Sequence, residues 1–155
     1  TEKRMMIFCT TPDCSSSSQF VVGTGLKNVL DSAMVIPPNV NPQNLRPVIV
    51  YTHEIQPYDS AASLLICGSL ICSPSPSNII KELPLPSLSN YNGVDMTLSP
   101  QGNPLGVYTD KNGDIYMFTC ADTICSSIKQ IQILIDEKNG RVPTSGAGVN
   151  PVIVM

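Results

Sequence analysis

The chain has 155 residues, a formal net charge of −3, and 14% charged against 42% hydrophobic residues, which suits one domain with a core of its own. This balance argues against a nucleic-acid binder: the densest basic spots are Lys3-Arg4 and Lys138 with Arg141, and neither has aromatic neighbours suited to base stacking. No apolar run approaches the roughly 18 residues of a membrane-spanning helix. No signal peptide is visible, and Thr1 in place of an initiator Met gives the expectation of a processed or truncated chain.

Apolar residues come in short runs of Ile, Val, Leu and Met between Pro, Gly, Asn and Ser, the pattern of strands rather than long amphipathic helices. In chain order, strands are predicted at Met5-Met6-Ile7-Phe8, over 19–22, and over 33–36, where the mixed periodicity of 28–36 stops at Pro37-Pro38. A Pro/Asn loop over 39–46 precedes a clear strand at 47–52. A long polar turn is expected around Gln56-Pro57-Tyr58-Asp59, with His53 and Glu54 read as turn residues. Leu64-Leu65-Ile66 is the next strand. The run 79–83 is confined to a short or edge strand by Pro84 and Pro86, which cannot donate to a ladder.

Strands are then expected at 95–98, 104–109, 115–119 and 128–135. The hairpin between 104–109 and 115–119 turns at Asp110-Lys111-Asn112-Gly113-Asp114, whose Asn-Gly pair accepts the positive φ of a tight turn. In 128–135, Ile131, Ile133 and Ile135 alternate with Gln132 and Leu134, a half-buried strand. Asn139-Gly140 turns the chain again before a final apolar run at 149–155.

A unit of about fifty residues repeats along the chain. Three C-x4-C pairs begin at Cys9, Cys67 and Cys120, 58 and 53 residues apart, and Pro-led strands begin at Pro47, Pro104 and Pro151, 57 and 47 apart. The expected architecture is therefore a single all-β domain of about three four-stranded antiparallel repeats, β-propeller-like, with a β-trefoil as the alternative. The repeats are 28–88, 89–141 and one split between 1–27 and 142–155. The first repeat starts in its middle, and Asn150-Pro151-Val152-Ile153-Val154 echoes Asn103-Pro104-Leu105-Gly106-Val107. Such a split either closes a ring within one molecule or lets the strand join a neighbour.

The pattern G-N-P…Y-x-D…G-D-[IL] followed by C-x-D-x-x-C-S, best matched by residues 102–127, resembles the tandem β-propeller-like repeats of large secreted microbial proteins. Residues 47–73 match through Pro47, Tyr51, Cys67 and Cys72, and residues 5–15 match in the cysteine half, with Asp13 one position before Cys14. The resemblance implies an extracellular all-β array and carries no catalytic residues.

The preferred reading of Cys9 with Cys14, Cys67 with Cys72 and Cys120 with Cys125 is three disulfides in an oxidising compartment. A zinc site and free buried thiols are the alternatives, although the sole histidine, His53, has no place among the cysteines. Asp110-x-Asn112-x-Asp114 resembles the start of a calcium loop but has Ile115 and Ala121 where an EF-hand needs Gly and Glu, so a hairpin turn is preferred and no metal or cofactor is expected. His53 with Glu54 and Asp59 is a weak acid/base group, and no enzymatic activity is expected.

The expected function is that of an extracellular structural subunit, a homo-oligomer or homopolymer. Pro151, Val152, Ile153, Val154 and Met155 form the donated strand and Met5, Met6, Ile7 and Phe8 the acceptor strand, giving a filament. The rival is a secreted, lectin-like carbohydrate-binding module, for which Tyr58 and Tyr91 are the loop aromatics. Ser/Pro tracts at 14–18, 73–77 and 84–89 suit O-glycans, and no N-x-[ST] sequon is present.

Overall fold

Short β-branched and aromatic runs pair with their sequence neighbours in the described parts of the chain. The computed structural model describes residues 5–9, 15–21, 29–39, 41–56, 59–72, 76–83, 93–109, 114–135 and 153. Among them the fold is all-β, with one 3-10 turn at Pro42–Asn44 and no α-helix. A first, two-stranded sheet contains β1 (Met5–Cys9) and β2 (Ser17–Val21). A second follows the chain through β3 (Val29–Val35), β4 (Val48–Gln56), β5 (Asp59–Ile66) and β6 (Ile79–Glu82). A third does the same through β7 (Val94–Leu98), β8 (Pro104–Thr109), β9 (Ile115–Cys120) and β10 (Ile128–Ile135). Every pairing is antiparallel.

The second and third sheets share one register. Val48 lies opposite Ile66 and Tyr51 opposite Ser63, as Leu105 lies opposite Thr119 and Tyr108 opposite Tyr116. On the first strands, Met34 faces Ile49 and Ser32 faces Tyr51, as Met96 faces Gly106 and Val94 faces Tyr108. Because side chains alternate along a strand, each sheet has two distinct faces. A tyrosine face carries Ile49, Tyr51, Leu65 and Cys67 in the second sheet, and Gly106, Tyr108, Phe118 and Cys120 in the third. A valine face carries Val48, Val50, Leu64 and Ile66 in the second, and Leu105 and Val107 in the third.

The core lies between unlike faces. Val48, Val50, Ala62, Leu64 and Ile66, from the valine face of the second sheet, pack with Val94, Met96, Tyr108, Phe118 and Cys120, from the tyrosine face of the third. The tyrosine face of the second sheet has a separate cluster of Val29, Ile49, Tyr51, Leu65, Cys67 and Cys72. Buried on both faces along its whole length, β8 is a continuous apolar run rather than an alternating one. Its Pro104 stands at the first position, where a missing donor is tolerated.

Two glycines fit the layers together. Gly102, in the turn between β7 and β8, has φ +80°, and a Cβ there would lie 2.9 Å from Cγ of Pro38 at the end of β3. Gly106 lies directly opposite Phe118, whose ring covers it, so that a Cβ would meet Cε1 at 2.4 Å. The second sheet fills the equivalent place with Ile49 opposite Leu65.

The sequence reading needs two corrections. The third strand starts at Val29 rather than at residue 33, because pairing with β4 and hydrogen bonds to Asp31 carry its polar beginning. The long turn around 56–59 is short: β4 runs to Gln56 and β5 begins at Asp59, so His53 and Glu54 are strand residues, held opposite Ala61 and Ser60. The edge position expected for 79–83 is that of β6. The turns at 110–113 and 139–140 lie outside the described residues.

Gly106→Ala is expected to lower stability by about 1–3 kcal/mol through displacement of the Phe118 ring. Denaturant unfolding checks this, and an unchanged midpoint would contradict the packing.

Candidate functional site

The two described cysteine pairs close the third strand of each four-stranded sheet. Cys67 bonds to Cys72 and Cys120 to Cys125, with Cα atoms 4.9 and 4.8 Å apart. In each loop the amide of the second cysteine donates to the carbonyl three residues back, Cys72 to Ser69 and Cys125 to Asp122, both at 3.1 Å. The second cysteine is left-handed in both, at φ +47° and +50°. That is an uncommon conformation for a residue with a Cβ, held here by the ring. The zinc and free-thiol alternatives are thereby removed for these four residues. Cys14 lies outside the described residues, and with it the Cys9–Cys14 pair.

The third-sheet loop is also tied to the second sheet. Nζ of Lys81, on β6, donates to the carbonyl of Cys125 at 2.7 Å and to that of Ser126. Within the loop, Asp122 accepts the Ser126 amide at 2.8 Å and the Ser126 hydroxyl. The Ser126 hydroxyl is the main reason the Asp122 carboxyl sits below its ordinary value. Desolvation opposes this, and the Ser126 and Ile124 amides and the Lys81 charge lower the value further. The Cys120–Cys125 loop is thus a structural clamp that fixes the end of its strand to the neighbouring sheet.

A second repeated device uses aspartates on the first strand of each four-stranded sheet. Asp31 accepts the Ser32 amide on Oδ1 at 2.8 Å and, on Oδ2, the amide of Val94, which opens the third sheet, at 3.0 Å. Asp95 accepts the Met96 amide on Oδ1 at 2.8 Å and, on Oδ2, the amide of Ile153 at 2.9 Å. Asp31 lies opposite Thr52 and Asp95 opposite Val107, so both stand on the valine face of their sheet. The Asp31 amide itself donates to the Thr52 hydroxyl, 3.1 Å away, which accounts for the buried threonine. No sequence motif marks the two aspartates; beside the amide that follows each in its own strand, the second acceptor oxygen finds its partner only in the next layer.

Of the expected self-association residues, Met5, Met6, Ile7 and Phe8 form β1, paired with Phe20, Gln19 and their neighbours in β2. From the donated strand, Ile153 is described and the other four residues are not. The acid/base group does not come together: His53 and Glu54 are consecutive in β4 and so point to opposite faces, and the His53 ring contacts Tyr51 and the Ser63 hydroxyl. Among the described residues no group of three or more His, Cys, Asp or Glu could hold a metal ion, and no helix is long and apolar enough to cross a membrane. Comparisons with protein-family models, curated proteins and solved structures give no significant match.

Asp31→Ala leaves the Val94 amide without its acceptor and is expected to cost roughly 1–3 kcal/mol. Faster hydrogen exchange at Val94 and a lowered unfolding midpoint would report it; unchanged exchange would contradict the role given to Asp31.

Proposed function

We propose that this chain is an extracellular structural subunit that associates with copies of itself, head to tail, into a filament. Residues 151–155 of one copy supply the strand that enlarges the β1–β2 sheet of the next. The observation that carries this reading is the aspartate pair. Ile153, like Val94, has its amide held by an aspartate on the valine face of the sheet before it, two positions further along the first strand. Val94 is the start of a further layer, so the segment around Ile153 is read as the start of another. The β1–β2 sheet, whose first strand ends at Cys9, is read as the rest of such a layer. Contact between unlike faces permits an open-ended assembly as well as a closed ring, because each added layer presents the face the next one needs.

The meander order of both four-stranded sheets and their face-to-face packing support propeller-like blades over a trefoil. The two disulfides suit an oxidising, extracellular setting. A carbohydrate-binding role draws no support from the described aromatics: Tyr51 and Tyr108 are buried, and Tyr116 stacks on Tyr108 with ring centroids 5.2 Å apart. Tyr58 and Tyr91 lie outside the described residues.

Light scattering on the full chain and on a chain lacking residues 148–155 tests the proposal. Large particles that fall to monomers on truncation are expected. A full-length monomer that only loses stability on truncation would overturn the reading.

A further inference from the structure

On β3 the tyrosine face is closed at Val29 and left uncovered at Ser32 and Met34. Met34 and Met96 occupy equivalent places, one opposite Ile49 and the other opposite Gly106, yet Met34 is 42% exposed and Met96 only 7%. The difference has a plain cause: Met96 meets the valine face of the second sheet, and Met34, on the tyrosine face of β3, meets nothing comparable among the described residues. Ile36 and Leu30, two and four residues from Met34, are also exposed. The rest of that face is closed, with Ile49, Tyr51, Leu65 and Cys67 all buried. The open strip is thus one strand wide and uncharged. It repeats a surface that the same chain covers elsewhere with one of its own layers.

We infer that this strip on β3 is a docking surface for a second copy of the chain, and that its occupant is the neighbour's 151–155 strand. The inference rests on the self-association reading and adds to it a surface outside β1. Three observations choose this occupant. The internal contact between the second and third sheets is the template, since it covers the equivalent Met96 with a strand layer carrying Val48 and Val50. The segment Pro151-Val152-Ile153-Val154-Met155 is apolar and uncharged, matching an uncharged strip of Ser32, Met34 and Ile36. Its backbone is already anchored at Ile153 to the valine face of its own third sheet, the kind of face that meets a tyrosine face inside the molecule. One strand held between the third sheet of its own chain and β3 of the next would join the two copies through the contact already used within each.

Exposed positions permit substitutions that leave the fold intact, so the test is Met34→Glu and Ser32→Glu, with Ile124→Glu, on an exposed loop, as control. Light scattering is expected to show loss of the high-mass particle for the two β3 variants and none for the control, with unfolding midpoints unchanged. In parallel, dilute peroxide oxidation read by peptide mass spectrometry is expected to modify Met34 in the chain lacking 148–155 and to spare it in the assembled particle, with Met96 slow in both. Assembly of Met34→Glu like the native chain, or Met34 oxidised as fast in the particle as in the truncated chain, would overturn the inference while leaving self-association standing. A full-length monomer would remove both. A monomer that protects Met34 until 148–155 is deleted would show that the chain's own segment fills the strip, and would likewise overturn the inference.

Discussion

The contact between unlike sheet faces is the constraint on which the rest depends. If the two four-stranded sheets met through equivalent faces, the pair would be self-complementary and finished. Instead Val48, Val50, Leu64 and Ile66 of one sheet meet Tyr108, Phe118 and Met96 of the next. Each sheet therefore needs a different neighbour on either side. Gly106 shows how closely the contact is matched: its missing side chain makes room for the Phe118 ring, where the second sheet uses Ile49 and Leu65. The pairs differ residue by residue, yet each fills the same place between strands.

Polar groups fix how the layers meet. Burial of apolar side chains is non-directional, so it holds the sheets together without choosing their register. Asp31 chooses it by accepting the amide of the first strand of the next sheet. Lys81 does the same at the other end, reaching from β6 to the carbonyls of the second cysteine loop. The disulfides keep that loop in one shape by holding Cys125 in a left-handed conformation. Local chemistry within a repeat and alignment between repeats are thus parts of one arrangement, and the Asp95 contact to Ile153 extends it past the third sheet.

Much of the strand content is legible in the sequence. Runs such as 47–52, 104–109 and 115–119 are rich in β-branched and aromatic residues, and a proline or glycine marks their beginnings. The cysteine spacing also points to the disulfides at 67–72 and 120–125. What escapes is whatever depends on a second layer. The start of β3 reads as irregular because Asp31 and Ser32 interrupt the apolar period, and their partners, Thr52 and Val94, lie 21 and 63 residues beyond Asp31. His53 and Glu54 read as turn residues because nothing local shows that Ala61 and Ser60 will pair with them. Met34 and Met96 look alike in sequence; only the presence or absence of a covering sheet separates them.

The measurement that tests the account most directly is photocross-linking in a mixed-isotope assembly. Chains carrying benzoyl-phenylalanine at Val154 are assembled with an excess of isotopically heavy native chains, irradiated and digested. The account predicts cross-linked peptides that join the light 151–155 segment to heavy peptides from 5–9 or 29–36. Cross-links confined to peptides of the same isotopic chain would contradict it, because the strand would then complete its own molecule rather than a neighbour.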